Sequence, residues 1–434
     1  MKLSRRQIIA LITLGLLNGL IVIAVLSLLT APATLSDNSL DQAPNIALAA
    51  STQPLTSPLP APTQPAATQW TATQRAATAW PITPWIAPTR SATPTPAISP
   101  TPCAADWCKT LGVQSIDTTP EGPIDPSGYG LQIHACGSLQ PDHALFMTQQ
   151  AGFDWVKQQV RWDEIEGVRG IYVWRCVDDV VRLAEPYGLK ILLSINTTPQ
   201  WARNADGSPN ATHFAAFAAA VAQRYKGRIQ AIEVFNEPNL FIEWNARLNP
   251  AAYAQLLAAA SSRIRQIDPN ILIISAGLAP TRWNDWGAAL DDLKFMQQIA
   301  GTVSRSADCV GAHYNDGRSS PLAGGSPFEQ LVTQYHDLTG LRVCLTEFGI
   351  AAPLEGQKPP AGFEWSANTT EVDAARWLAE GIRWAQLHPD VMRLIVVWNF
   401  NYYNSLDDGN SLYSLEVNGK VRPAYYALQR ALGK

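Results

Sequence analysis

The stretch Ile229-Gln230-Ala231-Ile232-Glu233-Val234-Phe235-Asn236-Glu237-Pro238 is a mostly apolar run that ends on an amide and a carboxyl. It reads as a buried strand delivering Asn236 and Glu237 at its mouth. Roughly a hundred residues later, Leu341-Arg342-Val343-Cys344-Leu345-Thr346-Glu347-Phe348-Gly349 repeats the device, with one glutamate placed before an aromatic and a glycine. Working outward, the chain after Gly128 alternates short apolar runs with amphipathic stretches, the pattern of repeated βα units. Strands are expected at 130–134, 155–160, 190–195, 231–235, 271–276, 309–312, 341–345 and 394–398. Helical periodicity falls at 176–186, 211–225, 250–267, 288–300, 327–339, 372–387 and 423–432. Eight strands fit a closed barrel. A doubly wound open sheet would normally carry a glycine-rich turn after its first strand, and His134-Ala135-Cys136-Gly137 is not one.

Either glutamate alone is an ordinary strand-end carboxylate. Taken together, Asn236-Glu237-Pro238 resembles the acid/base strand end, and Thr346-Glu347-Phe348-Gly349 the nucleophile strand end, of clan A glycoside hydrolases. The resemblance runs from about Gly128 to the C-terminus and includes family 39 and family 5 barrels. It implies a (β/α)8 TIM barrel, with one glutamate after the fourth strand and one after the seventh. In such barrels catalytic residues sit at the C-terminal ends of the strands.

The resemblance makes Glu237 the general acid/base and Glu347 the nucleophile of retaining hydrolysis, which needs carboxyls about 5–5.5 Å apart. Glu237 is expected to hold its proton until it donates, and Glu347 to stay ionised beside hydrogen-bond donors. Arg161, ending the second strand, is similar to a clan arginine that would supply such a donor; otherwise it pairs with Asp163 or Glu164. His313 and Tyr314 resemble a His-Tyr pairing at the sixth strand end. There Tyr314 would donate to Glu347, and His313 would contact substrate or the acid/base. Asn236 would bond the sugar 2-hydroxyl. Trp398 resembles the floor for the sugar at the reacting site. Glu233 shares the parity of Glu237 and is expected deeper in the barrel, as a paired structural carboxylate. Trp201, Trp244, Trp283, Trp286 and Trp365 also follow strands, where flat rings suit the C–H faces of sugars.

The first hundred residues do not look able to bury a core. Lys2, Arg5 and Arg6 precede an uncharged apolar run from Ile8 to Leu29, long enough at about 1.5 Å per residue to cross a bilayer of about 30 Å. A signal-anchor or transmembrane helix over 1–30 is expected, with the remainder outside the cytoplasm. Ala31-Pro32-Ala33 offers a cleavage site, and with it a secreted alternative. Residues 31–102, rich in Pro, Thr and Ala, read as a disordered tether, and 103–434 as the catalytic domain.

The net charge of −4, without a basic stripe, argues against a nucleic-acid partner. The six histidines are scattered without metal-ligand spacing, and no Gly-x-Ser-x-Gly elbow occurs. No metal or cofactor is expected, and the chain reads as a monomer. Of the six cysteines, Cys103 and Cys108 are placed to close a small loop, and Cys136 to bond Cys176. Counting alternate residues back from His313 and Glu347 puts Cys309 and Cys344 on opposite faces, as free core thiols. The expected activity is retaining hydrolysis of an extracellular oligo- or polysaccharide. A carbohydrate-binding barrel without catalysis and a transglycosylase are the alternatives. Substrate, and endo or exo action, are not legible, although the insertion 353–370 is expected to cover one side of the cleft.

Overall fold

The computed structural model describes residues 127–136, 141–282, 284, 287–403 and 405–434. Eight parallel strands form one sheet: β1 Gly128–Ile133, β2 Trp155–Arg161, β3 Lys190–Asn196, β4 Ala231–Val234, β5 Leu272–Ser275, β6 Val310–Asp316, β7 Val343–Ile350 and β8 Met392–Val397. Their order is β5-β4-β3-β2-β1-β8-β7-β6. A single parallel bridge, Ile274 to Cys309, closes the ring between β5 and β6. The expected eight-stranded barrel is what the chain forms. Gly311 permits the closure, because a Cβ there would stand 2.0 Å from the Ser275 carbonyl oxygen.

The surrounding helices are α1 Pro141–Gln150, α2 Arg175–Ala184, α3 Ala211–Arg224, α4 Pro250–Ile267, α5 Asp292–Ser306, α6 Pro327–Thr339, α7 Glu371–Leu387 and α8 Pro423–Ala431. Their starts follow capping chemistry. Asn210, Asn249, Asp291 and Ser326 each accept a first-turn backbone N–H, and Thr370 with Asp373 forms a capping box. Proline opens α4, α6 and α8, where no N–H is needed. The main core lies between helices and sheet. A second apolar layer fills the barrel floor with Trp155, Leu192, Ala231, Ile274, Cys309, Cys344, Leu394 and Val396. Trp155 fits because β1 carries glycine beside it: a Cβ on Gly128 would meet its ring at 2.5 Å.

Two disulfides join described residues. Cys136–Cys176 ties the β1 end to α2, as expected. Cys309–Cys344 overturns the expectation of free thiols. The register between β6 and β7 shifts after Ala312: Ala312 pairs with Leu345, but His313 pairs with Glu347. Thr346 is the extra residue. Alternation therefore breaks there, and counting in twos across it reverses the face of Cys344. The same shift lets β6 and β7 stay paired through Asp316 and Ile350, beyond their expected ends.

Among the described residues, no helix is long and apolar enough to cross a membrane. The expected membrane segment at 1–30, the tether at 31–102, Cys103 and Cys108, and Trp283 and Trp286 all lie outside the described residues.

Candidate active site

Glu237 stands just beyond the end of β4. Phe235 and Glu237 have φ of 78° and 41°, a left-handed region that non-glycine residues seldom occupy. Such conformations persist where surrounding contacts enforce them, and they cluster at functional sites. Here Phe235 packs against Phe214 and Trp244, while the Glu237 N–H donates to the Gly277 carbonyl at 3.0 Å. The chain thus leaves the sheet in two fixed steps, with the carboxyl held at the barrel mouth.

Glu347 lies within β7, in register with His313 of β6. One carboxylate oxygen of Glu237, one of Glu347 and a ring nitrogen of His313 all lie within 4.8 Å of one another. His313 Nδ1 is 2.9 Å from Glu237 Oε1 and 3.6 Å from Glu347 Oε2. Glu347 has its own donors: Asn315 Nδ2 at 3.2 Å and Lys157 Nζ at 3.4 Å.

A charged layer without solvent contact supports this pair. Lys157, Glu233 and His313 are each fully buried. Lys157 Nζ is 3.0 Å from Glu233 Oε2 and donates to the Thr346 carbonyl at 3.2 Å. Glu233 Oε1 accepts from the Thr346 hydroxyl at 2.6 Å and from Gly277 N–H at 3.1 Å. Gly277 also supports the histidine, because a Cβ there would stand 2.2 Å from the His313 ring.

The electrostatics follow from this packing. Burial opposes charge on His313, but Glu347, Glu233 and Glu237 outweigh it and raise the imidazole to about 10. Burial likewise opposes the Lys157 ammonium, which Glu233 and Glu347 hold protonated above its ordinary value. The same burial would keep Glu233 neutral, yet Lys157, His313 and Thr346 bring its carboxyl well below the carboxylate range. Glu347 moves the other way. Burial raises its carboxyl, His313 and Lys157 pull it down, and Glu237 and Glu233 push it up again.

Arg161 does not take the expected place beside Glu347. Its guanidinium pairs with Asp163 at 3.0 Å and Glu164 at 2.7 Å, and is 39% exposed at the rim. Lys157 is the cation on Glu347, four residues earlier on the same inner face of β2. That is about 13 Å deeper at about 3.3 Å per residue. The expected contact of Tyr314 with Glu347 is also absent. Strand alternation turns Tyr314 outward, onto Phe328 of α6 and Phe348, and Asn315 donates to Glu347 instead. His313 is where the sequence put it, on the carboxyl of Glu237. Glu233 lies below Glu237 as an ion-paired carboxylate.

Asn236 is buried beside Glu237, its Oδ1 3.5 Å from Gln159 Nε2. Trp398 follows β8 in a cluster with Ala351, Phe363, Leu412 and Tyr413, and meets His134 edge-to-face. Phe363 brings the 353–370 insertion into this cluster. Trp244 is fully buried against Phe235, and Trp201 packs on Trp162 while bonding the Glu166 carbonyl. Trp365 lies under the Arg318 guanidinium.

Lys157, Asn315, Gly277 and His134 were not singled out from sequence. Lys157 shares the parity of Trp155 and Gln159, a signal that was present. His134 stacks on Tyr402 with ring centroids 3.7 Å apart, and burial together with Lys157 lowers its imidazole to about 3. It stands neutral beside the ion layer.

Among the described residues, Glu237, His313 and Glu347 form a group whose spacing could admit a metal ion. The positive charge there is already supplied by Lys157 and the His313 imidazolium, so a cation would meet two cations at close range. The set suits proton transfer better.

The sequence model described as "Cellulase (glycosyl hydrolase family 5)" matches residues 128–353, more than half of the 434-residue chain. Comparison with curated proteins found no match. Among solved structures, a family 39 glycoside hydrolase from Bacteroides cellulosilyticus WH2 superposes with TM-score 0.54 at 17% identity. That alignment covers 71% of this chain, and the chain spans only 63% of the other's length. A family 10 endoxylanase from a sugarcane soil metagenome gives 0.53 at 18% identity, over 70% of this chain and 97% of that one. Xylanase 10B from Thermotoga maritima gives 0.53 at 17% identity, over 70% and 94%. Likeness at such identities establishes the fold, and these families share the clan A barrel. With the family match over the strands that carry both glutamates, the chain belongs to the cellulase family, glycosyl hydrolase family 5.

Proposed function

We propose that this protein is a retaining glycoside hydrolase that cleaves an extracellular oligo- or polysaccharide. The observation that carries the reading is the approach of one Glu237 oxygen and one Glu347 oxygen to within 4.8 Å. Retaining enzymes hold their carboxyls about 5–5.5 Å apart, and inverting ones about 6.5–9.5 Å apart to admit a water. In the proposed first step, a Glu347 oxygen bonds to the anomeric carbon as its bond to the leaving oxygen breaks, and Glu237 gives that oxygen a proton. In the second, water attacks the same carbon, its proton passes to Glu237, and the Glu347 carboxylate is released. Two inversions retain configuration. Asn236 would hold the sugar 2-hydroxyl and Trp398 the ring face.

Family membership supports glycosidic-bond hydrolysis, and the fold likeness to xylanases makes xylan a first substrate, beside glucans and mannans. The apolar run at 8–29 supports a single-pass membrane anchor with the barrel outside, or secretion if it is cleaved. The test is release of reducing sugar from a panel of polysaccharides and aryl glycosides by the wild type and Glu347→Gln, with the anomer of the first product read by NMR. Activity lost in the variant and a product of unchanged configuration are expected. An inverted first product would refute the double displacement, and glycan binding without turnover would favour a binding barrel.

A further inference from the structure

Glu233 is fully buried, four residues below Glu237 on β4, and covered by the His313 ring and Lys157. It is out of reach of substrate. It is nevertheless linked to both carboxyls of the site through one shared cation each. Lys157 Nζ bridges Glu233 Oε2 at 3.0 Å and Glu347 Oε1 at 3.4 Å. The His313 ring has Nε2 3.9 Å from Glu233 Oε1 and Nδ1 2.9 Å from Glu237 Oε1. Thr346 Oγ1–H and Gly277 N–H fix the Glu233 carboxylate between them.

We propose that Glu233 is a positioning residue: its buried charge holds His313 as an imidazolium that donates to Glu237, while Lys157 is kept against Glu347. The inference rests on the roles given above to Glu237 and Glu347. The groups facing His313 are Glu233 of β4, Glu237 just beyond it, the Gly277 backbone after β5, and Glu347 of β7; Lys157 of β2 acts on it through Glu233 and Glu347. His134, just after β1, feels the Lys157 charge. Together Lys157, His313 and Glu233 carry a net charge of plus one, since two cations face one anion. The reacting pair carries one negative charge at both stages. It sits on Glu347 before attack and on Glu237 once Glu347 is esterified. The support set therefore neutralises the site before and after the first step. Without the Glu233 charge, two buried cations would face one anion, and isolated buried charge is costly. Of the two, the imidazole has the lower intrinsic pKa and would give up its proton first. The raised imidazole value is consistent with this arrangement.

The test compares the full-length wild type with Glu233→Gln, which keeps shape and an oxygen acceptor but removes the charge. In ¹⁵N-histidine NMR, with His313→Gln to assign the signal, the wild-type His313 midpoint is expected near 10. In Glu233→Gln it should fall by about three pH units, to about 7 or below. The variant's kcat should lie within about threefold of wild type near pH 5 and about tenfold or more below it near pH 8, with KM little changed. A wild-type midpoint at or below about 6.5, an unmoved midpoint in the variant, or an equal kcat loss at both pH values would overturn the proposal. If the variant does not fold, a wild-type midpoint at or below about 6.5 still overturns the proposal. Failure of the catalytic assignment would appear separately, as full activity in Glu347→Gln, and would leave the titration to be read alone.

Discussion

Lys157 Nζ lies 3.4 Å from Glu347 Oε1, and both side chains are buried. It is also the partner of Glu233 at 3.0 Å. Replacing it with methionine strands two buried carboxylates. Breaking one partner of a buried pair costs about 3–5 kcal/mol, so Lys157→Met should unfold at clearly lower denaturant, with kcat down by about a hundredfold. Adding Glu233→Gln should recover part of that stability, but not the activity. Chemical unfolding curves of the single and double variants check this, and a single variant as stable as wild type would contradict it.

The acid limb of activity should lie above that of an ordinary glutamate, about 4.3. Attack needs the Glu347 carboxylate, and burial raises that carboxyl in the fold. Activity is therefore lost as pH falls through the raised value and is regained above it. A kcat–pH profile that stays flat down to about pH 4 would count against the assignment.

Asn315 and Tyr314 are adjacent but face opposite ways. Asn315→Ala removes a donor to Glu347 and should lower kcat by about ten- to a hundredfold. Tyr314 points into the layer under α6, away from Glu347, with Ser319 beside its hydroxyl. Tyr314→Phe should keep kcat within about twofold and stability within about 1 kcal/mol. Steady-state kinetics of the two variants distinguish them, and the reverse ranking would mean that the sixth strand is misread.

Gly277→Ala places a methyl group where the His313 ring now lies. Overpacking of this kind costs about 1–3 kcal/mol. The ring should be pushed from Glu237, with kcat falling more than KM changes. A variant with wild-type kcat would show that the ring has room to yield.

The barrel, both glutamates, the place of His313 and the depth of Glu233 were legible because strand ends and alternation are local signals. The Asn315 contact, the outward turn of Tyr314 and the Cys309–Cys344 bond were not, and all depend on the strands' pairing. The disulfide in particular required knowing that Thr346 is an extra residue in β7, a property of pairing between strands. Lys157 escaped for another reason. A cation within an apolar strand looks unfavourable until its counter-ions, supplied by β4 and β7, are known. Gly277 has no side chain to draw notice, and its role lies in what a methyl group would displace.

The ring of strands is closed between β5 and β6 by one bridge, whereas β6 and β7 are paired along seven positions and covalently joined at Cys309 and Cys344. The β5–β6 junction is thus the seam with the fewest paired positions in the ring. Separation of the strands there would carry His313 and Glu347 together, away from the Gly277 backbone and Glu237, and so would change the distance between the two carboxyls.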